Sequence, residues 1–158
     1  VVVRPPLIYG PRVKGNLLRL LSWVERGLLI PLGAVRNQRS LMGVSNLVDL
    51  LVCCAAHPAA AGQTFLASDD QDLSTPQLIR LIAEGMNRPV RLLPVPLPLL
   101  QLGGSLFGKC DEIDRLVSSL QVDSRYTQMR LGWKPRSLVA DGVTEMAQWY
   151  LSLQDTRA

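Results

Sequence analysis

Apolar residues recur at strand and helix spacings along most of the chain. Val1, Val2 and Val3 form a β-branched run that predicts a strand buried in a parallel sheet. The next segment, Arg4-Pro5-Pro6-Leu7-Ile8-Tyr9-Gly10-Pro11, has four Pro or Gly in eight residues and predicts a structured loop. Leu17, Leu20, Leu21, Val24 and Leu28 fall on one helical face, with Asn16 as the expected cap and Gly27 near the stop. Residues 29–32 and 39–44 read as short strands flanking a turn over 33–38. Ser45 or Asn46 is expected to cap a helix whose apolar face is Leu47, Leu50, Leu51 and Cys54.

Residues 65–67 predict another strand. Ser74-Thr75-Pro76-Gln77 supplies a hydroxyl cap, a first-turn proline and a Gln three positions after the Ser, so a helix is expected from there to about Met86. Residues 91–95 read as extended and 97–106 as a helix loosened by Gly103-Gly104. A helix over 111–117, a strand over 120–122 and a helix capped by Asp123 or Ser124 and closed by Leu131-Gly132-Trp133 follow. Val139, Val143, Met146, Ala147 and Tyr150 stripe the last helix at steps of 4, 3, 1 and 3. The expected class is α/β: short strands with several helices and a helical tail, without an internal repeat.

A length of 158 residues fits one domain or part of a larger one, and 47% hydrophobic with only 19% charged residues argues against global disorder. The net charge of +4 suits an anionic ligand. No run of five Lys/Arg occurs and only eight aromatics are present, so nucleic acid is not an expected partner. Three cysteines, Cys53, Cys54 and Cys110, make no disulfide framework and point to a reducing, cytoplasmic setting. A single histidine and no CxxC leave no zinc site. His57, before Pro58, reads as structural, a cation suiting a helix end. The apolar stretch over 92–107 is broken by three prolines and a Gly pair, so no stable membrane insertion is expected.

For chemistry, the arginines matter most, because a guanidinium fork matches phosphate oxygens. Arg39 begins a short strand after a turn, and reads either as an anion ligand or as an exposed turn residue. Arg115 lies near Asp111, Glu112 and Asp114, and reads either as a ligand or as part of an ion-paired helix surface. Tyr9 either stacks on a ring or plugs its loop; Asn16 and Asp123 either touch a ligand or cap their helices. Neither GxGxxG nor GxxxxGK[ST] is present, and one histidine so placed makes no Ser/His/Asp triad.

The ordered segments Arg4-Pro5-Pro6-Leu7-Ile8-Tyr9-Gly10-Pro11, Pro31-Leu32-Gly33, Arg39-Ser40-Leu41-Met42-Gly43-Val44-Ser45-Asn46-Leu47-Val48-Asp49 and Leu131-Gly132-Trp133-Lys134-Pro135 resemble the C-terminal, substrate-binding half of extended short-chain dehydrogenases. These are the NAD-dependent epimerases and dehydratases of nucleotide sugars; the UDP-glucose 4-epimerase-like branch of surface-polysaccharide synthesis is the most similar. The resemblance covers residues 1–158 and implies the C-terminal part of a Rossmann-type fold, cut before the last sheet strands. It places Pro6, Leu7 and Tyr9 near the junction of cofactor and sugar. Some relatives carry Asn where Leu7 stands. It makes Asn16, Arg39 and Arg115 substrate-binding.

The resemblance also implies NAD as the parent's cofactor, a nucleotide-sugar substrate and a homo-oligomer. The implied reaction interconverts sugar C4 epimers through a keto intermediate. A dehydratase or reductase of the same family, or a non-catalytic ligand-binding module, is the alternative. The family's GxxGxxG loop and Tyr-x-x-x-Lys pair are absent: Tyr9 is followed by Val13 and Tyr126 by Arg130 at that spacing, so the chain alone is expected to be inactive. The valine strand is expected to lack parallel neighbours and to expose an apolar edge. Self-association in sedimentation velocity follows from this, and a strictly monomeric chain at high concentration with that strand ordered would contradict it.

Overall fold

Three parallel strand pairs, rather than one continuous sheet, carry the β-structure of the described residues. The structure is a computed structural model that describes residues 1–106 and 110–155. The side chains of 103–112 lie outside the described set, and with them Cys110, Asp111 and Glu112. β1 (Val2–Arg4) pairs with β5 (Thr64–Leu66), placing Val3 opposite Phe65. β2 (Leu7–Tyr9) pairs with β4 (Leu41–Gly43), placing Leu7 opposite Leu41. β3 (Leu29–Ile30) pairs with β6 (Arg91–Leu92). Parallel pairing needs crossovers, and the helices supply them. These are α1 (Asn16–Glu25), α2 (Val44–Ala56) and α3 (Thr75–Gly85), followed by α4 (Leu97–Leu106), α5 (Cys110–Val117), α6 (Arg125–Leu131) and α7 (Val139–Asp155).

The main core forms where α3 meets α7. Ile79, Ile82 and Ala83 are buried against Val143, Met146 and Ala147, with the α1 face of Leu17, Leu20, Leu21 and Val24 in the same cluster. The predicted α7 stripe is buried throughout. A Cβ at Gly85 would lie 3.0 Å from the Thr144 backbone, so a side-chain-free position lets the two helices approach. A second cluster, including Met42, Leu50, Phe65, Leu131 and Trp133, lies between α2, β5 and the end of α6. The capping box predicted at Ser74 is formed: its hydroxyl accepts from Gln77 N–H, and Gln77 Oε1 accepts from Ser74 N–H at 2.7 Å.

Several local expectations are corrected by longer-range demands. The N-cap of α1 is Gly15 at φ 67°, and Asn16 makes no side-chain cap bond. α2 begins directly after β4 with Gly43 as N-cap, so neither Ser45 nor Asn46 caps it; Asn46 is buried and bonded to distant segments. The expected strand at 39–44 shortens to 41–43, and the one at 120–122 reduces to a single bridge between Leu120 and Arg39. At the start of α6, Asp123 rather than Ser124 accepts, taking the Arg125 N–H at 3.0 Å. His57 Nδ1 accepts from Ala59 N–H at 3.2 Å and so caps the short turn Pro58–Ala60 that follows α2. β1 is not a buried strand. It has one parallel neighbour, and Val1 and Val2 are 60% and 50% exposed.

No helix among the described residues is long and apolar enough to cross a membrane. The packing of α7 on β2 yields a sharp expectation. An added Cβ at Gly142 would lie 2.9 Å from Tyr9 Cε2, on a ring that is itself buried. Gly142→Ala, favourable on helix propensity alone, is expected to cost about 1–3 kcal/mol through overpacking, read as a lower urea midpoint.

Candidate functional site

The loop entering β2 and the strand β4 are fixed by one buried carboxylate. Asp69 Oδ2 accepts the Tyr9 hydroxyl at 2.7 Å and the Gly43 N–H at 2.8 Å, and Oδ1 accepts Asn46 Nδ2–H at 2.8 Å. Asp69 is only 5% exposed, so these donors replace the water it has lost. Burial, then the hydrogen bond and charge of Asp69, then the charge of Asp141, raise the Tyr9 pKa well above its ordinary 10.0. The Tyr9 ring is buried and its hydroxyl is engaged inward on Asp69.

Arg39 is held in a backbone vice. Its N–H donates to Leu73 O at 2.9 Å and its carbonyl accepts from Leu73 N–H at 3.0 Å, while Ser40 N–H donates to Leu120 O at 2.8 Å. Ser40 Oγ donates to Asp72 Oδ1 at 2.6 Å and accepts from Val122 N–H at 2.8 Å; Gln121 Nε2–H donates to Asp72 Oδ2 at 2.6 Å. The Arg39 guanidinium donates through Nη1 to the carbonyl of Arg115 in the last turn of α5. Its Nε is buried with no hydrogen-bond partner. Burial lowers the Arg39 pKa below its ordinary value. Arg39 as a whole is only partly buried, so its charge can attract an anion, although Nε itself is enclosed.

The structure brings Arg39 and Arg115 together, the side chain of Arg115 being exposed. Pro6 and Leu7 are partly buried and lead into β2. Arg39 stands two residues ahead of the Leu41 that pairs with Leu7, so all three lie at the same end of this strand pair. Asn16 opens α1 elsewhere, and among the described residues no hydrogen bond links it to either arginine. Two clefts flank the loop before Arg39. One of about 280 Å³ is lined by Ala34, Val35, Arg36, Asn37, Val95, Leu97, Val117 and Ser119. The other, of about 300 Å³, includes Asn37, Gln38, Ser74, Gln77 and Arg80. Among the described residues no group of three or more metal-ligating side chains is found. Asp69, Asn37, Ser40 and Asp72 escaped the sequence reading, because nothing in their local spacing marks residues whose partners are distant in sequence.

Comparison with known proteins finds relatives of the chain as a whole. The chain is 45% identical over 152 residues to UDP-glucose 4-epimerase of Vibrio cholerae, covering 96% of the chain and 46% of that relative. Among solved structures, UDP-glucuronic acid 4-epimerase from Bacillus cereus in complex with NAD superposes with a TM-score of 0.71 at 13% identity, covering 98% of this chain and 44% of that one. The Bordetella bronchiseptica enzyme WbmG in complex with NAD and UDP gives a TM-score of 0.67 at 15% identity, covering 95% and 42%. At such identities the structures establish the fold. The chain spans less than half the length of each of these proteins. No protein-family profile matches it.

The Tyr9–Asp69 bond predicts a pH dependence with a definite sign. A phenol whose pKa is raised by folding contributes stability that is complete below its unfolded value of 10.0 and is lost as pH rises above it. Chemical denaturation at rising alkaline pH is expected to show falling stability. Tyr9→Phe should flatten that slope and, at neutral pH, cost about 1–3 kcal/mol for the lost bond to the carboxylate.

Proposed function

Because the chain belongs to the NAD-dependent epimerase/dehydratase family of extended short-chain dehydrogenases, matching its C-terminal half, we propose that it is the nucleotide-sugar-binding portion of a sugar 4-epimerase, with UDP as the sugar carrier. The observation that carries this reading is Arg39, partly buried with its Nε unpartnered and its guanidinium on the backbone carbonyl of Arg115, two residues along the chain from Asn37, which lines a cleft. In this reading the two arginines and Asn16 take the diphosphate. The cleft walled by Ala34, Val35, Val95, Leu97 and Val117 takes the apolar faces of the nucleoside. Pro6 and Leu7, with Tyr9 fixed beneath them, face the junction of cofactor and sugar.

NAD is the cofactor of the family, where it takes and returns a hydride. The residues of this chain do not fit it on their own. They include no Gly-rich strand-to-helix turn for a dinucleotide diphosphate, and the hydroxyl of Tyr9 is committed to Asp69. No hydride or proton step is therefore derived from them. Their contribution is to bind the nucleotide, orient the sugar and exclude water, converting remote binding energy into alignment at the reacting carbon. A cytoplasmic setting belongs to the same reading, supported by the free Cys53 and Cys54.

Calorimetric titration of UDP into the chain tests this directly. Binding is expected, and Arg39→Ala should weaken it by about tenfold or more, the loss of one or two charge-assisted hydrogen bonds. An unchanged affinity removes Arg39 from the site. Failure of UDP to bind this chain, and a longer protein carrying the other half, overturns the reading.

A further inference from the structure

We propose that Asn37 is the positioning residue of the nucleotide site, setting the width of its cleft by tying one loop to two helix ends at once. This inference rests on the nucleotide-binding reading above. Asn37 is 3% exposed, and its side chain spends all of its hydrogen-bonding capacity inside the protein. Its Nδ2 group faces three acceptors: Thr75 Oγ1 at 3.0 Å, Leu116 O at 3.1 Å and Ser118 O at 3.0 Å. Its Oδ1 accepts the Thr75 N–H at 2.8 Å.

These partners have a common origin. Thr75 N–H belongs to the first residue of α3, where backbone donors have no acceptor within the helix. Leu116 O lies in the last turn of α5 and Ser118 O just beyond it, where carbonyls lack intrahelical donors. One amide thus matches an orphan donor at a helix start and orphan acceptors at a helix end. Thr75 Oγ1 reinforces the tie by donating to Leu116 O at 2.6 Å.

The placement of this tie is what makes it functional. Asn37 lies in the loop that walls the cleft of about 280 Å³, and Val117 and Ser119, on either side of the Ser118 carbonyl it binds, line the same cleft. Two residues after Asn37 comes Arg39, whose guanidinium rests on Arg115 O at the same end of α5. The amide therefore holds these cleft residues and both arginines in one register. Only an amide does this: a carboxylate accepts from Thr75 N–H but has no donor for the two carbonyls.

Asn37→Asp separates the two halves of the tie, keeping the link to α3 and breaking the link to α5. Thr75→Val is a second, uncharged variant; it deletes the bridge to Leu116 O and controls for repulsion between a new carboxylate and phosphate. Calorimetric titration of UDP into the wild-type chain, both variants, Arg39→Ala and the Asn37→Asp/Arg39→Ala double variant provides the test, with thermal unfolding alongside. The expected result is UDP affinity lower by about tenfold in Asn37→Asp and lower in the same direction in Thr75→Val. Arg39→Ala should then cost markedly less in the Asn37→Asp background than alone, since the guanidinium has already lost its register. A purely structural role predicts a lower melting temperature, unchanged UDP affinity of the folded variants and an additive cycle, and any such pattern overturns the proposal. If the wild-type protein binds UDP and the variants bind equally well, only this proposal falls; if UDP binds only to a longer protein carrying the other half, the same variants are titrated there, and if it binds neither, both readings fall.

Discussion

A carboxylate taken out of water must be met by donors, and the fold is arranged so that those for Asp69 come from three different segments. Tyr9 ends β2, Gly43 ends β4, and Asn46 lies in the first turn of α2. Breaking such a set leaves a buried charge uncompensated, a far larger penalty than the net gain from forming it. The network continues through Asn46, whose Oδ1 accepts the N–H groups of Arg136 and Ser137 at 3.0 Å just before α7. The strand pair β2–β4, the start of α2 and the entry to α7 are therefore constrained together. The ring of Tyr9 is pinned between Asp69 and the helix face that carries Gly142.

The same physical logic recurs at the other end of that strand pair. Helix ends leave backbone groups unmatched, and here loop side chains rather than local caps satisfy them. Asn37 serves the start of α3 and the end of α5, and Arg39 adds a donor to the neighbouring Arg115 carbonyl. What distinguishes Arg39 is that its matching is incomplete, with Nε buried and unpartnered. The Asp69 carboxylate meets three donors, whereas the Arg39 guanidinium keeps one buried nitrogen unmatched.

The likeness to solved epimerases at 13–15% identity is a likeness of fold. Core positions along α3 and α7 tolerate exchange among apolar residues of similar volume, so a fold persists while most side chains change.

Helices whose determinants lie within one or two turns were legible in the chain: the Ser74–Gln77 capping box and the apolar stripes of α1 and α7 formed as their spacing implied. The ordered motifs carried the family, while residue type and spacing left Arg39 and Arg115 open between anion ligands and surface residues, and only the resemblance implied substrate binding. Asn16 and Asn46 show where local reading stopped. Both occupy positions suited to caps, yet Asn46 is bonded to Asp69, 23 residues away, and to Ser137, 91 away. Arg39 meets Arg115 across 76 positions. Spacing therefore determined the elements, because a helix or a cap is decided among neighbours along the chain. The tertiary structure alone decided which polar groups were dehydrated together, because that depends on segments that meet only after folding, and from it came the buried hub, the cleft and the unpartnered nitrogen.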